Sequence, residues 1–337
     1  MSEPLLRVTD LSVGFRAKGK PLAKAVRELS FDVQRGETLA VVGESGSGKS
    51  VSALAMLGLL PGTAEITGSA IFDGADLVGM KSKELRTYRG RRIAMIFQDP
   101  MTAFHPAFTI GNQIAETILV HGLDDKEGAH RQAADLLEMV GVPEPGIRVD
   151  QYPHEFSGGM RQRAMVAMAI ANKPDLLIAD EPTTALDVTI QAQVMEVLAE
   201  MQREVDAAMI LITHDLGVVA NVADRVQVMY GGRIVERSVV DNVFYRPRNP
   251  YTRGLLTSLP RLDGARTDRL EPIKGSPPSI LSMPAGCAFE PRCPHATDVC
   301  KERPAELESL WLEHESRCHH HAELPDWGTP VTDEVNA

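Results

Sequence analysis

Residues 43 to 50 read Gly43-Glu44-Ser45-Gly46-Ser47-Gly48-Lys49-Ser50 and meet the pattern G-x-x-x-x-G-K-[ST] at every defined position. The apolar run 38–42 before them is strand-like, and the spacing over 49–60 predicts a helix. A strand that feeds a glycine-rich turn opening a helix brings backbone N–H groups together on phosphate oxygens, at a helix end whose dipole favours an anion. In such a loop Lys49 reaches the β and γ phosphates and the Ser50 hydroxyl ligates Mg²⁺.

Three more apolar runs, 93–97, 176–179 and 209–213, have the character of buried strands. Strands alternating with helical stretches imply an α/β fold built on a mostly parallel sheet covered on both faces. Residues 99–162 contain two helical patterns, 110–121 and 127–140, and read as a helical insertion into that core. Residues 81–92 carry six basic residues and one acid. They read as a solvated helix face, because 35 Lys and Arg against 46 Asp and Glu give a net charge of −11, the wrong sign for a chain that holds nucleic acid. At 43% hydrophobic and 24% charged residues the chain can bury a core, which excludes disorder for most of its length. The apolar runs fall short of the ~18 residues of a membrane span. Met1-Ser2-Glu3-Pro4 has neither the basic start nor the apolar run of a secretory signal, so the expected compartment is the cytoplasm.

A phosphate loop alone leaves kinases, GTPases and ATPases open. Asp180-Glu181 follows the third strand-like run, where the phosphates of a loop-bound nucleotide would sit. Asp180 is suited to hold Mg²⁺, and Glu181, free of the metal, to polarise a water for attack on the γ phosphate. Ser157-Gly158-Gly159 precedes an apolar helical run and can present a hydroxyl and free N–H groups to an anion.

Together these features resemble the ATP-binding cassette (ABC) ATPases. The phosphate loop, Gln98, Ser157-Gly158-Gly159, Asp180-Glu181, Ala185-Leu186-Asp187 and His214 stand in that family's order. The resemblance implies a P-loop ABC cassette over 1–255: a RecA-like core sheet with a small antiparallel β region and a helical subdomain at about 99–162. It further implies that Phe15 stacks on adenine, that residues 43–51, including Val51, bind ATP, and that Gln98 senses the metal and the attacking water. His214 would contact the γ phosphate. Ser157, Gly158 and Gly159 would bind ATP held by a second cassette, and Asp187 would organise the interface between the two. The signature departs from the usual Leu-Ser-Gly-Gly-Gln at Phe156 and Met160.

Further strings resemble the oligopeptide/dipeptide importer branch: Ile96-Phe97-Gln98-Asp99-Pro100-Met101-Thr102, Tyr152-Pro153-His154, Ser157 through Arg163, and Pro250-Tyr251-Thr252-Arg253. Phe104-His105-Pro106 stands where that branch often has Leu-Asn-Pro. The branch implies an ATPase that powers peptide import through two separate permease subunits, with a related second ATPase chain and an extracytoplasmic peptide-binding protein. Its place would be the cytoplasmic face of the inner membrane. Nickel or another small solute as cargo, or a soluble ABC-type ATPase, are the alternative readings.

All four cysteines, Cys287, Cys293, Cys300 and Cys318, fall in a Pro-rich, charged segment at 256–325, ahead of a tail at 326–337. In a reducing compartment the cluster reads as a metal site before it reads as disulfides. The segment resembles the C-terminal extension of peptide-importer ATPases, some of which hold a [4Fe-4S] cluster. Four thiolates satisfy that cluster or a tetrahedral zinc, and the absence of paired C-x2-C knuckles favours iron–sulfur. His314 and His319-His320-His321 are expected to be a solvated histidine run.

Overall fold

The computed structural model describes residues 3–16, 19, 22–99, 103–184, 187–258, 273–311, 313–325 and 327. Residues 100–102, Ala185-Leu186 and the tail 326–337 apart from Trp327 lie outside them.

Alternating buried and exposed residues along β1 (Leu6–Phe15) suit a strand with one face in the core. It pairs antiparallel with β2 (Ala23–Val33) and β4 (Ala64–Phe72), and β5 (Ala75–Asp76) completes a sheet in the order β2-β1-β4-β5. The second sheet is different in kind. In β3 (Thr38–Val42), β7 (Leu176–Asp180) and β8 (Ala208–Thr213) every residue is buried, as in parallel strands covered on both faces. With β6 (Ile93–Ile96), β9 (Arg225–Tyr230), β10 (Arg233–Val239), β11 (Glu308–Trp311) and β12 (His314–Ser316) they form the order β11-β12-β10-β9-β3-β8-β7-β6.

Register decides where the loops emerge. Val42 pairs with Thr213, Ala179 with Leu211 and Ile96 with Ala179, all in parallel. The carboxyl ends of β3, β8, β7 and β6 therefore line one edge, and the residues that follow each strand share a crevice.

The helix predicted over 49–60 runs Lys49–Met56, ended by Leu57 and by Gly58 at φ 58°. Only Ser82–Leu85 of the basic stretch is helical, so it is not a helix face, although Lys81, Lys83, Arg86 and Arg91 are exposed as expected of solvated charges. Arg89 donates to the carbonyls of Leu57 and Gly58 (2.6 and 2.9 Å), and Arg92 bridges Asp73 and Asp175 (2.8 Å each). These two arginines serve as ties between loops.

Between β6 and β7 stand helices Ile110–Leu119, Lys126–Met139 and Pro145–Arg148, a 3-10 turn at Pro153–Glu155 and helix Gly158–Ile170. Thr109, Asp125 and Ser157 cap three of these helices through their side-chain oxygens. Phe156 is buried with Ile110, Ile114, Leu137, Val149 and Ala164, so the aromatic ring at this position fills the insertion's core.

The C-terminal segment continues the main sheet. In β12, Glu315 and Ser316 pair with Arg237 and Glu236 of β10, and Phe289 packs edge-on against Tyr230 and Tyr251 with ring centroids 5.3 Å away. The expectation of solvated histidines fails here. His314 and Glu236 are both 0% exposed and share a 2.8 Å hydrogen bond. His319 meets the Arg303 carbonyl, His320 meets Glu323 and Thr297, and His321 meets the Cys318 carbonyl. The turn that follows β12 folds these rings back onto the chain.

Candidate nucleotide-binding site

Two glycines seat the loop after β3. At Gly43, φ is +154° and a Cβ would lie 2.2 Å from the Met229 carbonyl oxygen; at Gly48, φ is +102° and a Cβ would lie 2.6 Å from that of Ala25. Only glycine lets the loop press this closely on β9 and β2. Gly46 also has positive φ, Ser45 lies in the exposed turn, and Ser47 Oγ is buried without a hydrogen-bond partner among the described residues. Lys49 Nζ donates to the carbonyls of Gly43 (2.6 Å) and Glu44 (3.1 Å). Burial pulls its pKa down, while Glu181, Asp180 and Glu44 oppose that. Val51 is half-buried against the core behind the loop.

Ser50 Oγ donates to Asp180 Oδ1 at 2.8 Å. Asp180 ends β7 at 5% exposure. Burial raises its pKa, the Ser50 hydrogen bond works against the rise, and Glu181 adds to it. A hydroxyl and a carboxylate are the hard oxygen donors Mg²⁺ takes, so the pair fits that ion.

The next residue, Glu181, has φ +46°, uncommon for a side chain of its size. Its backbone N–H donates to the Ile212 carbonyl of β8, which holds the turn. Three groups then meet at Glu181 Oε2: Gln98 Nε2 at 3.0 Å, Thr184 Oγ1 at 2.9 Å and His214 Nδ1 at 3.5 Å. Gln98 follows β6 and His214 follows β8, so the strand order delivers both to the carboxylate between them. Such a carboxylate can accept a proton from a polarised water.

Phe15 is half-buried at the end of β1, opposite Ala23 and close in register to the Ala25 carbonyl that seats Gly48. Ser157 accepts from the Met160 N–H, and Gly158 and Gly159 form the first turn of their helix. A Cβ on Gly159 would lie 3.0 Å from Ile190, and Ile190 N–H in turn donates to exposed Asp187. These contacts join the serine–glycine turn to Asp187.

Around the cysteines, Cys287 N–H donates to the Cys300 carbonyl at 2.7 Å. Burial raises the pKa of Cys287, pushes that of Cys293 up to about 11 and that of Cys318 up to about 12. Each of these thiols is raised further by its cysteine neighbours, so all four share one electrostatic neighbourhood. Among the described residues no three His, Cys, Asp or Glu stand close enough to hold a single ion. A tetrahedral zinc would set its sulfurs about 3.8 Å apart. Four cysteines are the donor set that a [4Fe-4S] cluster or a tetrahedral zinc takes once each thiol has lost its proton.

Three site residues escape sequence reasoning. Thr184 lies in the turn that begins at Glu181, a short-range signal that could have found it. Tyr251, known only as part of a branch marker, is buried and its hydroxyl accepts from the Glu44 N–H at 2.8 Å. Arg292 clasps the Glu44 carboxylate from 248 residues away, and nothing local signals that.

The parallel sheet and the loops at its carboxyl edge define an ABC-type nucleotide-binding cassette. A family model described as ABC transporter matches residues 26–184, and one described as oligopeptide/dipeptide transporter, C-terminal region, matches 235–300. A solved dimeric ATP-binding cassette in a post-hydrolysis state with ADP and Pi superposes with a TM-score of 0.62 at 24% identity, covering 70% of this chain and 98% of that one; the likeness shows the fold. The dipeptide transport ATP-binding protein DppD of Bacillus subtilis is 53% identical over 88% of this chain and 89% of its own length. The oligopeptide transport ATP-binding protein OppD of Mycobacterium tuberculosis is 50% identical over 94% of this chain, which spans 52% of that relative's length. The chain belongs to the oligopeptide/dipeptide transport ATP-binding proteins of the ABC transporter family. Among the described residues no helix is long and apolar enough to cross a membrane.

Proposed function

We propose that this chain is the ATP-hydrolysing subunit of an importer for di- and oligopeptides. The observation that carries the reading is the meeting of Gln98, Thr184 and His214 on Glu181 Oε2, one residue after the Ser50–Asp180 pair. Residues 1–255 serve as the nucleotide-binding domain, with the helical insertion at about 99–162, and 256–325 as the extension.

Residues 43–51 hold the phosphates of ATP, with Lys49 Nζ turning from the loop carbonyls to the β and γ phosphates, and Phe15 stacks on the adenine. Ser50, Asp180 and Gln98 hold Mg²⁺. When bound, this ion neutralises charge developing on the transferred phosphoryl group. Glu181 is the general base: Gln98 and Thr184 both donate to Oε2, so Oε1 takes the proton of the attacking water. His214 contacts the γ phosphate.

ATP on the phosphate loop is closed by the Ser157-Gly158-Gly159 turn of a second cassette, with Asp187 at their interface. We infer a related, non-identical second ATPase chain, two transmembrane permeases and an extracytoplasmic binding protein that delivers peptide. The chain then sits peripherally on the cytoplasmic face of the inner membrane. Cys287, Cys293, Cys300 and Cys318 hold a [4Fe-4S] cluster in preference to zinc, a reading supported by their shared electrostatic neighbourhood.

The test is affinity purification of the Glu181→Gln chain with Mg-ATP from detergent-solubilised native membranes, with partners identified by mass spectrometry. Two multi-span permeases and a second cassette are expected. Recovery of the chain alone, or with ribosomal or DNA-repair proteins, contradicts the importer reading.

A further inference from the structure

The second residue of the phosphate loop is an acid, and the cysteine-bearing extension answers it. Arg292 Nη1 and Nη2 donate to Glu44 Oε2 and Oε1 at 2.6 and 3.0 Å, a two-pronged pair. The arginine side chain is 5% exposed. Its remaining donors go to the carbonyls of Ile273, Lys274 and Gly275 and to the Tyr230 hydroxyl, so the guanidinium is fixed from several sides. Tyr251, packed at an angle against Tyr230 and edge-on against Phe289, takes the Glu44 N–H. The backbone and the carboxylate of one loop residue are thus both held from the chain's C-terminal third.

The electrostatic sense is plain. A carboxylate in a loop that gathers N–H groups around a polyphosphate repels that polyphosphate unless a cation neutralises it. We propose that Arg292 is a positioning residue for nucleotide binding: it neutralises Glu44 and holds it away from the phosphates, so that ATP affinity depends on the extension that carries Arg292. By reciprocity, ATP binding then steadies the extension beside Cys293. This inference rests on the nucleotide-binding reading above.

The test is a double-mutant cycle in the full chain, titrated with Mg²⁺ and the non-hydrolysable imido analogue of ATP. Arg292→Ala is expected to weaken binding about tenfold, the scale of a lost charge-assisted pair. In a Glu44→Gln background, where no carboxylate remains to repel the phosphates, the same substitution should cost about twofold or less. At saturating ATP, kcat should change far less than KM. An equal loss in both backgrounds assigns Arg292 a merely structural role and overturns the proposal, as does no loss in either. If the unsubstituted chain fails to bind the analogue, the nucleotide-binding reading itself falls. Should Arg292→Ala not fold, Arg292→Gln, which drops the charge and keeps donors for the 273–275 carbonyls, takes its place in the cycle.

Discussion

Ser50 and Asp180, 130 positions apart in sequence, are joined at 2.8 Å between the phosphate-loop helix and the carboxyl end of β7. That bond places a hydroxyl and a carboxylate together in a buried crevice, at a cost. Burial raises the pKa of Asp180 above its unfolded value, so the fold disfavours the ionised form. The stability cost appears as pH rises through the carboxylate range and is complete above the folded pKa. Asp180→Asn is therefore expected to raise the Tm of the nucleotide-free chain at neutral pH while abolishing Mg²⁺-dependent hydrolysis. A lowered Tm in thermal melts at pH 7 contradicts this sign.

Acid should inhibit the enzyme early. Because Asp180 takes up its proton above the ordinary aspartate range, the acidic limb of Mg²⁺-dependent hydrolysis should fall off above that range too. Raising Mg²⁺ should move the limb to lower pH, since metal and proton compete for one carboxylate. A limb insensitive to Mg²⁺ would argue that another group sets it.

Thr184 supports Glu181 through a single hydroxyl, 2.9 Å from Oε2. Thr184→Val keeps the shape and removes the donor. We expect kcat to fall about tenfold, the scale of one hydrogen bond to a charged group, with KM nearly unchanged. Steady-state kinetics of the assembled transporter read this directly; an unchanged kcat would remove Thr184 from the site.

How far the sequence could be read depends on the range of the interactions. Gln98, Glu181 and His214 each follow an apolar strand, and parallel strands bring such positions to one edge, so motif and period together reach the crevice. Arg292 and Tyr251 meet Glu44 across 248 and 207 positions, through packing of an extension whose loops have no period. The basic stretch misleads for a related reason: Arg89 and Arg92 find carbonyl and carboxylate partners that only the tertiary fold supplies. His314 looks surface-like in a polar run, yet β12 pairs beside β10 and buries it against Glu236.

That buried pair has a measurable weight. Truncating His314 to Ala leaves the buried Glu236 carboxyl with the Arg248 N–H but without the imidazole, and we expect a loss of about 1–3 kcal/mol in urea unfolding. Replacing Glu236 and His314 together with apolar residues of similar volume should cost less than the sum of the single changes. Additive losses would show that the two side chains do not act as a unit.

For the cysteines, chain purified without oxygen should contain iron and acid-labile sulfide in roughly equal amounts, with visible absorption that Cys293→Ser diminishes. Stoichiometric zinc without sulfide contradicts the cluster.

The central claim is that Glu181 activates the water that cleaves ATP, and hydrolysis by Glu181→Gln transporter tests it most directly. Measured beside nucleotide binding, the variant should hold Mg-ATP about as tightly as the unsubstituted protein while losing roughly a hundredfold or more in turnover, the scale of general-base catalysis. Turnover within a factor of about two of the unsubstituted protein, with binding intact, would contradict the account.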